Sequence, residues 1–128
     1  MKKVLVVEDH ADIRRLIRMS LEFEDIEVHE ASSARAGLAA AAAIEPDLIL
    51  LDVMMPGDLD GLDMCRAIKA GPLGPRCRVV MLSACGMSSD RERGLQAGAD
   101  VYLVKPFSPL QLIQVIDGLL AEGVGARP

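Results

Sequence analysis

Aromatic side chains are nearly missing: the chain has one tyrosine, two phenylalanines and no tryptophan in 128 residues, while 51% of it is hydrophobic. A core must therefore be built from Leu, Val, Ile, Ala and Met, and a planar cofactor such as a flavin finds little to stack on. No apolar run approaches the ~18–20 residues needed to cross a bilayer. Met1-Lys2-Lys3 leads straight into Val4-Leu5-Val6-Val7 and then two acids, which breaks a signal-peptide reading. The cysteines, Cys65, Cys77 and Cys85, are odd in number and contain no Cys-x-x-Cys pair. Neither a disulfide framework nor a zinc site is indicated, and a reducing cytoplasm fits best. Concentrated positive charge is also lacking: the net charge is -5 with acids and bases dispersed. This argues against a dedicated nucleic-acid surface, since a phosphate backbone calls for clustered Lys and Arg.

What is present is an alternation of short apolar runs with longer stretches of helical spacing. Strands are expected at Val4–Val7, Ile26–Ala31, Leu48–Leu51, Arg78–Leu82 and Val101–Val104. Between them the spacing predicts helices over about Asp12–Glu24, with Ile13, Leu16, Ile17, Ser20 and Leu21 facing inward, and from a cap at Ser32 or Ser33 to about Ile44. Further helices are expected over Leu62–Ala70, Ser88–Ala97 and Ser108–Glu122, the last burying Leu112, Val115, Ile116, Leu119 and Leu120. Five strand–helix units imply an α/β fold, a five-stranded parallel sheet with helices on both faces. No repeat or second-domain linker interrupts it, so residues 1–122 read as one domain and 123–128 as a flexible tail.

Four of the strand candidates stop at residues suited to phosphate or metal chemistry: Glu8-Asp9, Asp52, Ser83 and Lys105. In an open parallel sheet these ends converge on one edge, where ligands bind. Alone, each residue has an ordinary alternative: Asp52 a turn aspartate, Asp9 a helix cap, Ser83 a turn serine, Lys105 a solvated charge. Together they form a set. Asp52 is the candidate nucleophile, because a carboxylate can accept a phosphoryl group as an acyl phosphate. Two carboxylates about 4 Å apart repel by ~4 kcal/mol at an effective dielectric of 20, so the acids call for a hard divalent cation, Mg2+ with Mn2+ as a substitute. Lys105 precedes Pro106, which favours an extended backbone there and lets the ammonium balance the acids and hold phosphoryl oxygens. His10 and His29 have no partner pattern and are given no metal role; Asp58-Leu59-Asp60-Gly61 resembles a calcium loop, but its glycine comes too early for an EF-hand.

The ordered set Glu8-Asp9, Asp52 within Leu51-Asp52-Val53-Met54-Met55-Pro56-Gly57, Ser83-Ala84, Tyr102 and Lys105-Pro106 resembles the receiver domain of bacterial two-component response regulators, over residues 2 to 122. The resemblance implies a flavodoxin-like strand order 2-1-3-4-5. It implies Asp52 as phosphoacceptor, Asp9 and Asp52 as direct Mg2+ ligands, Glu8 acting through water, and Met54 contributing its backbone carbonyl. It also implies that Ser83 and Lys105 contact the phosphoryl group and that Ser83 and Tyr102 move together as the switch. Two departures stand out: Asp58-Leu59 makes the loop before Asp60-Gly61 one residue longer than usual, and Met54 and Cys85 occupy positions that tune phosphoryl lifetime.

The expected function is a signalling receiver that takes phosphoryl from a sensor histidine kinase or histidine phosphotransfer protein. It would catalyse its own phosphorylation and hydrolysis, and act on an output partner through the fourth helix, fifth strand and fifth helix. A phosphorylation-dependent homodimer is left open, and no nucleic acid or membrane partner is expected. The rivals are a phosphorylation-independent scaffold of the same fold and a flavodoxin-like carrier. The second is disfavoured because Glu8-Asp9-His10-Ala11-Asp12 would repel a phosphate.

Overall fold

The computed structural model describes residues 1–84 and 88–123, the side chains of 88–90 and 122–123 excepted. Five strands, β1 Lys2–Val7, β2 Ile26–Ala31, β3 Leu48–Asp52, β4 Arg78–Ser83 and β5 Val101–Val104, alternate with five helices, α1 Ala11–Ser20, α2 Ala34–Ile44, α3 Gly61–Ala70, α4 Ser88–Gln96 and α5 Pro109–Gly123. The sheet is parallel throughout, in the order β2-β1-β3-β4-β5.

Strand alternation divides the core in two. Leu5, Val7, Ile49, Leu51, Val79, Met81 and Tyr102 face one side, where α2, α3 and the end of α4 cover them. Val4, Val6, Leu48, Leu50, Val80, Leu82 and Leu103 face the other, against Ile17 and Leu21 of the α1 region and Leu112, Ile116, Leu119 and Leu120 of α5. β3 is buried along its whole length, as befits the middle of a sheet covered on both faces.

The sequence expectations hold for the strands and shift at several helix ends. α1 stops at Ser20 instead of Glu24: turn bonds from Glu24 N to Leu21 O and from Ile26 N to Glu24 O lead into β2, and Phe23, 94% exposed, offers no buried anchor for another turn. Leu16 lies at the margin of the α1 stripe and is half exposed, whereas Ile17 and Leu21, four residues apart, are buried. Val115 in α5 is only partly buried. The α2 cap is Ser33, whose side chain accepts from Ala36 N at 3.1 Å. The cap of α1 is His10, not Asp9, and it makes no side-chain capping bond. Cys85 and residues 124–128 lie outside the described residues.

Candidate functional site

β1 and β3 are direct neighbours, with Val7 opposite Leu51, so the residues that follow each of them meet at the carboxyl edge of the sheet. Glu8 is held there by its own backbone: its amide donates to Ala31 O at 3.1 Å, and the Arg14 guanidinium donates to its carbonyl at 2.6 Å. Ser83 and Val104 are register partners, and Lys105 N donates to Ser83 O at 2.7 Å, which carries Lys105 to the same edge. The Lys105-Pro106 peptide is cis.

On the far side of Asp52 the chain turns tightly. Gly61 packs so close that a Cβ added there would lie 2.0 Å from Asp52 O, and Gly61 N donates to Val53 O at 3.0 Å. α3 then begins with a reciprocal cap, Asp60 accepting from Asp63 N and Asp63 from Asp60 N. The extra loop residues have their own partners: Asp58 pairs with Arg35 of α2, and Leu59 packs on the core. The acids of the calcium-loop look-alike are thus engaged elsewhere than in a common cation site.

The expected site residues converge. Lys105 Nζ lies 2.8 Å from Glu8 Oε1 and 3.3 Å from Asp52 Oδ1. Asp52 is 3% exposed, Ser83 2% and Glu8 fully buried. Met54 N approaches Asp52 Oδ1 at 3.3 Å, while the Met54 side chain is exposed. Tyr102 is buried in the α3–α4 side of the core with its ring edge under Gly94 of α4 and the Arg91 guanidinium 5.8 Å from its centroid.

One residue that sequence reasoning set aside belongs here. His10 Nδ1 is 2.9 Å from Glu8 Oε2 and 3.3 Å from Asp9 Oδ1, and its amide donates to Glu8 Oε2 at 3.1 Å. The signal was Glu8-x-His10 across a strand-end turn, a spacing too common to single out. His29, by contrast, pairs only with Glu27 on β2, among the described residues.

The electrostatics follow from this crowding. Burial, and after it the negative charge of Glu8, push the Asp52 carboxyl up to about 6 against the pull of Lys105. Burial also works against ionised Glu8, but hydrogen bonds from Lys105 and His10 outweigh it and hold that carboxyl at about 2. The bond to Glu8, and then the charge of Asp9, raise the His10 imidazole. Burial opposes the charge on Lys105, yet Glu8 and Asp52 leave it above the ordinary lysine range.

The donor set fits a divalent cation. Ligand atoms of Glu8, Asp9, His10 and Asp52 lie within 4.8 Å of one another. Asp9 Oδ1 is buried and accepts no hydrogen bond. A buried carboxylate oxygen without a hydrogen bond, near only the His10 ring at 3.3 Å and beside two more carboxylates, is a place that a cation or a water can fill.

A doubly wound parallel sheet in the order β2-β1-β3-β4-β5, with three acids, a serine and a lysine at its carboxyl edge, defines the class, an α/β protein of the flavodoxin-like arrangement. The sequence profile of the response regulator receiver domain matches residues 4–117, and the chain belongs to that family. It is 44% identical to the transcriptional regulatory protein ResD of Bacillus subtilis over 118 residues, covering 92% of this chain and 48% of ResD. It is 38% identical to the phosphate regulon transcriptional regulatory protein PhoB of Pseudomonas aeruginosa, covering 93% of this chain and 52% of PhoB. The chain thus spans about half the length of the curated relatives it matches. Among solved structures it is similar to the chemotaxis protein CheY4 of Vibrio cholerae, with TM-score 0.86, 30% identity, and 93% and 98% of the two chains covered. A CheY-like receiver domain protein of Methanospirillum hungatei gives TM-score 0.88 at 31% identity, with 96% of each chain covered.

Proposed function

We propose that this chain is a phosphorylation-controlled switch in which Asp52 accepts a phosphoryl group from the phosphohistidine of a sensor kinase or phosphotransfer protein in the cytoplasm. The observation that carries this reading is Lys105 Nζ lying 2.8 Å from Glu8 and 3.3 Å from Asp52 at the carboxyl edge of the sheet. An ammonium so placed neutralises the nucleophile's surroundings at rest and can follow the phosphoryl oxygens once they arrive.

In the transfer, an Asp52 carboxylate oxygen forms the new O–P bond as the donor's N–P bond breaks, and the departing imidazole nitrogen takes up a proton. Asp9 and Asp52, with Glu8 and the Met54 carbonyl, would hold Mg2+, which neutralises charge on the transferring oxygens when bound. Lys105 would exchange its contact with Asp52 for one with a phosphoryl oxygen, and Ser83 would donate its hydroxyl to another. Movement of Ser83 would open space toward which Tyr102 turns, biasing the α4–β5–α5 surface that meets the output partner. Hydrolysis of the acyl phosphate resets the domain.

Incubation with Mg2+ and acetyl phosphate tests this by intact mass. Wild type should gain one phosphoryl group, and Asp52→Asn none. Failure of wild type to gain it would favour the scaffold reading.

A further inference from the structure

We propose that His10 supplies a nitrogen ligand to the cation held beside Asp52, shifting this pocket away from Mg2+ and toward divalent ions with imidazole affinity such as Ni2+ or Zn2+. The proposal rests on the receiver reading for what the cation does, and goes beyond it in which cation the pocket takes and which residue selects it.

The spacing is that of neighbouring ligands on one ion. Metal–ligand bonds of about 2.0–2.2 Å put adjacent ligands about 3 Å apart and opposite ones about 4.2 Å apart. His10 Nδ1 is 2.9 Å from Glu8 Oε2 and 3.3 Å from Asp9 Oδ1, and the whole set closes within 4.8 Å. Small movements suffice to bring these atoms around a common centre.

The ring is also available. His10 is the cap of α1 but makes no side-chain capping bond, so the helix end does not claim the imidazole. Without a cation Nδ1 carries the proton that it donates to Glu8 Oε2; because the side chain is 60% exposed, a cation entering the pocket can displace that proton, and the outer ring nitrogen can hold one in water while Nδ1 turns its lone pair to the ion. Lys105 occupies Glu8 Oε1, leaving Oε2 on the His10 side. Asp9 Oδ1, buried without a hydrogen bond, is the oxygen nearest to completing the set.

Selectivity follows from ligand chemistry. Mg2+ prefers oxygen and gives up its waters reluctantly, whereas imidazole suits the later first-row ions. A pocket of oxygens alone gains little from replacing Mg2+ with Ni2+ beyond the general affinity order; one nitrogen ligand widens that gap.

The test is metal binding by the whole chain at fixed pH, with Mg2+ and Ni2+ titrations, and pulsed EPR of bound Mn2+, for wild type, His10→Ala and His29→Ala. His10→Ala should lose Ni2+ affinity by about tenfold or more, a scale that loss of groups supporting a metal reaches, with Mg2+ affinity nearly unchanged. Nitrogen-14 modulation of the Mn2+ signal should be present in wild type and His29→Ala and gone in His10→Ala. Equal losses for Mg2+ and Ni2+, or a wild-type Mn2+ signal without nitrogen modulation, would overturn the proposal. If Asp52 is still phosphorylated with Mg2+ in that case, the receiver reading survives alone. Nitrogen coupling in a chain that never accepts phosphoryl would keep the metal ligand and remove the receiver reading.

Discussion

The two edges of this sheet handle charge in opposite ways. At the amino edge, between β4 and β5, the Asp100 carboxylate receives Lys69 Nζ at 2.9 Å, Arg78 at 3.3 Å and Val79 N at 2.8 Å, while Lys69 also donates to Cys77 O at 2.7 Å. One acid there satisfies two cations and a backbone amide. At the carboxyl edge, Glu8, Asp9 and Asp52 face the Lys105 ammonium and the half-exposed His10 ring, and among the described residues Asp9 Oδ1 accepts no hydrogen bond. Balanced in the sense that each charged group has a partner, the Asp100 cluster ties α3, β4 and β5 together; the carboxyl edge, with excess acid and an oxygen that accepts no hydrogen bond, is unbalanced and open to a ligand that brings positive charge.

The largest expected effect comes from forcing the unbalanced edge out of shape. Gly61→Ala would place a methyl 2.0 Å from Asp52 O, so the backbone must move. Overpacking of this kind costs about 3 kcal/mol, and displacement of a reacting group by about 1 Å lowers rates by roughly a hundredfold. Urea denaturation and the initial rate of acetyl phosphate labelling should both show it. At the balanced edge, Asp100→Ala strands two half-buried cations and an amide and should cost about 2–3 kcal/mol in urea denaturation. Labelling of Asp52 should persist under conditions where the variant is folded. Loss of labelling there would show that the two edges are coupled.

Of this contrast, the strands and the carboxyl edge were legible from sequence. Local patterning marks strands well where both faces are buried, so β3 and the buried centre of β5 are found close to their observed limits, and the candidate-site residues fall at strand ends where parallel topology brings them together. The end of α1 was not legible: apolar spacing continues through Leu21, but the turn into β2 is fixed by tertiary burial. His10 was missed for the same reason, since its partner is two residues away and only the turn brings the imidazole back onto Glu8. The Asp100 cluster was also invisible, because Lys69, Arg78 and Asp100 come from three elements and each reads as an ordinary surface charge.

A smaller effect isolates the cost of charge at Asp52. Its carboxyl is raised from 3.8 to about 6, so the folded state holds the proton more tightly than the unfolded chain. The penalty is absent below pH 3.8, grows through the window up to about 6 and is complete above it. Glu8 works in the opposite sense, contributing stability above 4.5 that is lost as pH falls toward 2. Between pH 4 and 6, in EDTA, Asp52→Asn should therefore become progressively more stable than wild type, by up to about 2 kcal/mol. Saturating Mg2+ should shrink the difference. A gap that stays constant across that window would mean Asp52 carries its charge without strain.

The smallest effect should come from a charge pair belonging to neither edge. Arg35 and Asp58 join α2 to the lengthened loop, but both side chains are about two-thirds exposed, where water and salt screen the attraction. The loop has stronger supports on either side: Leu59 rests on the core, and the Asp60–Asp63 cap fixes the start of α3. Arg35→Ala should leave the Tm within about one degree of wild type and the lifetime of phosphorylated Asp52 within about twofold, followed by loss of the phosphoryl mass with time. Because the loop also carries Met54, whose amide approaches Asp52, a lifetime changed severalfold at unchanged Tm would move this surface pair into the working edge of the sheet.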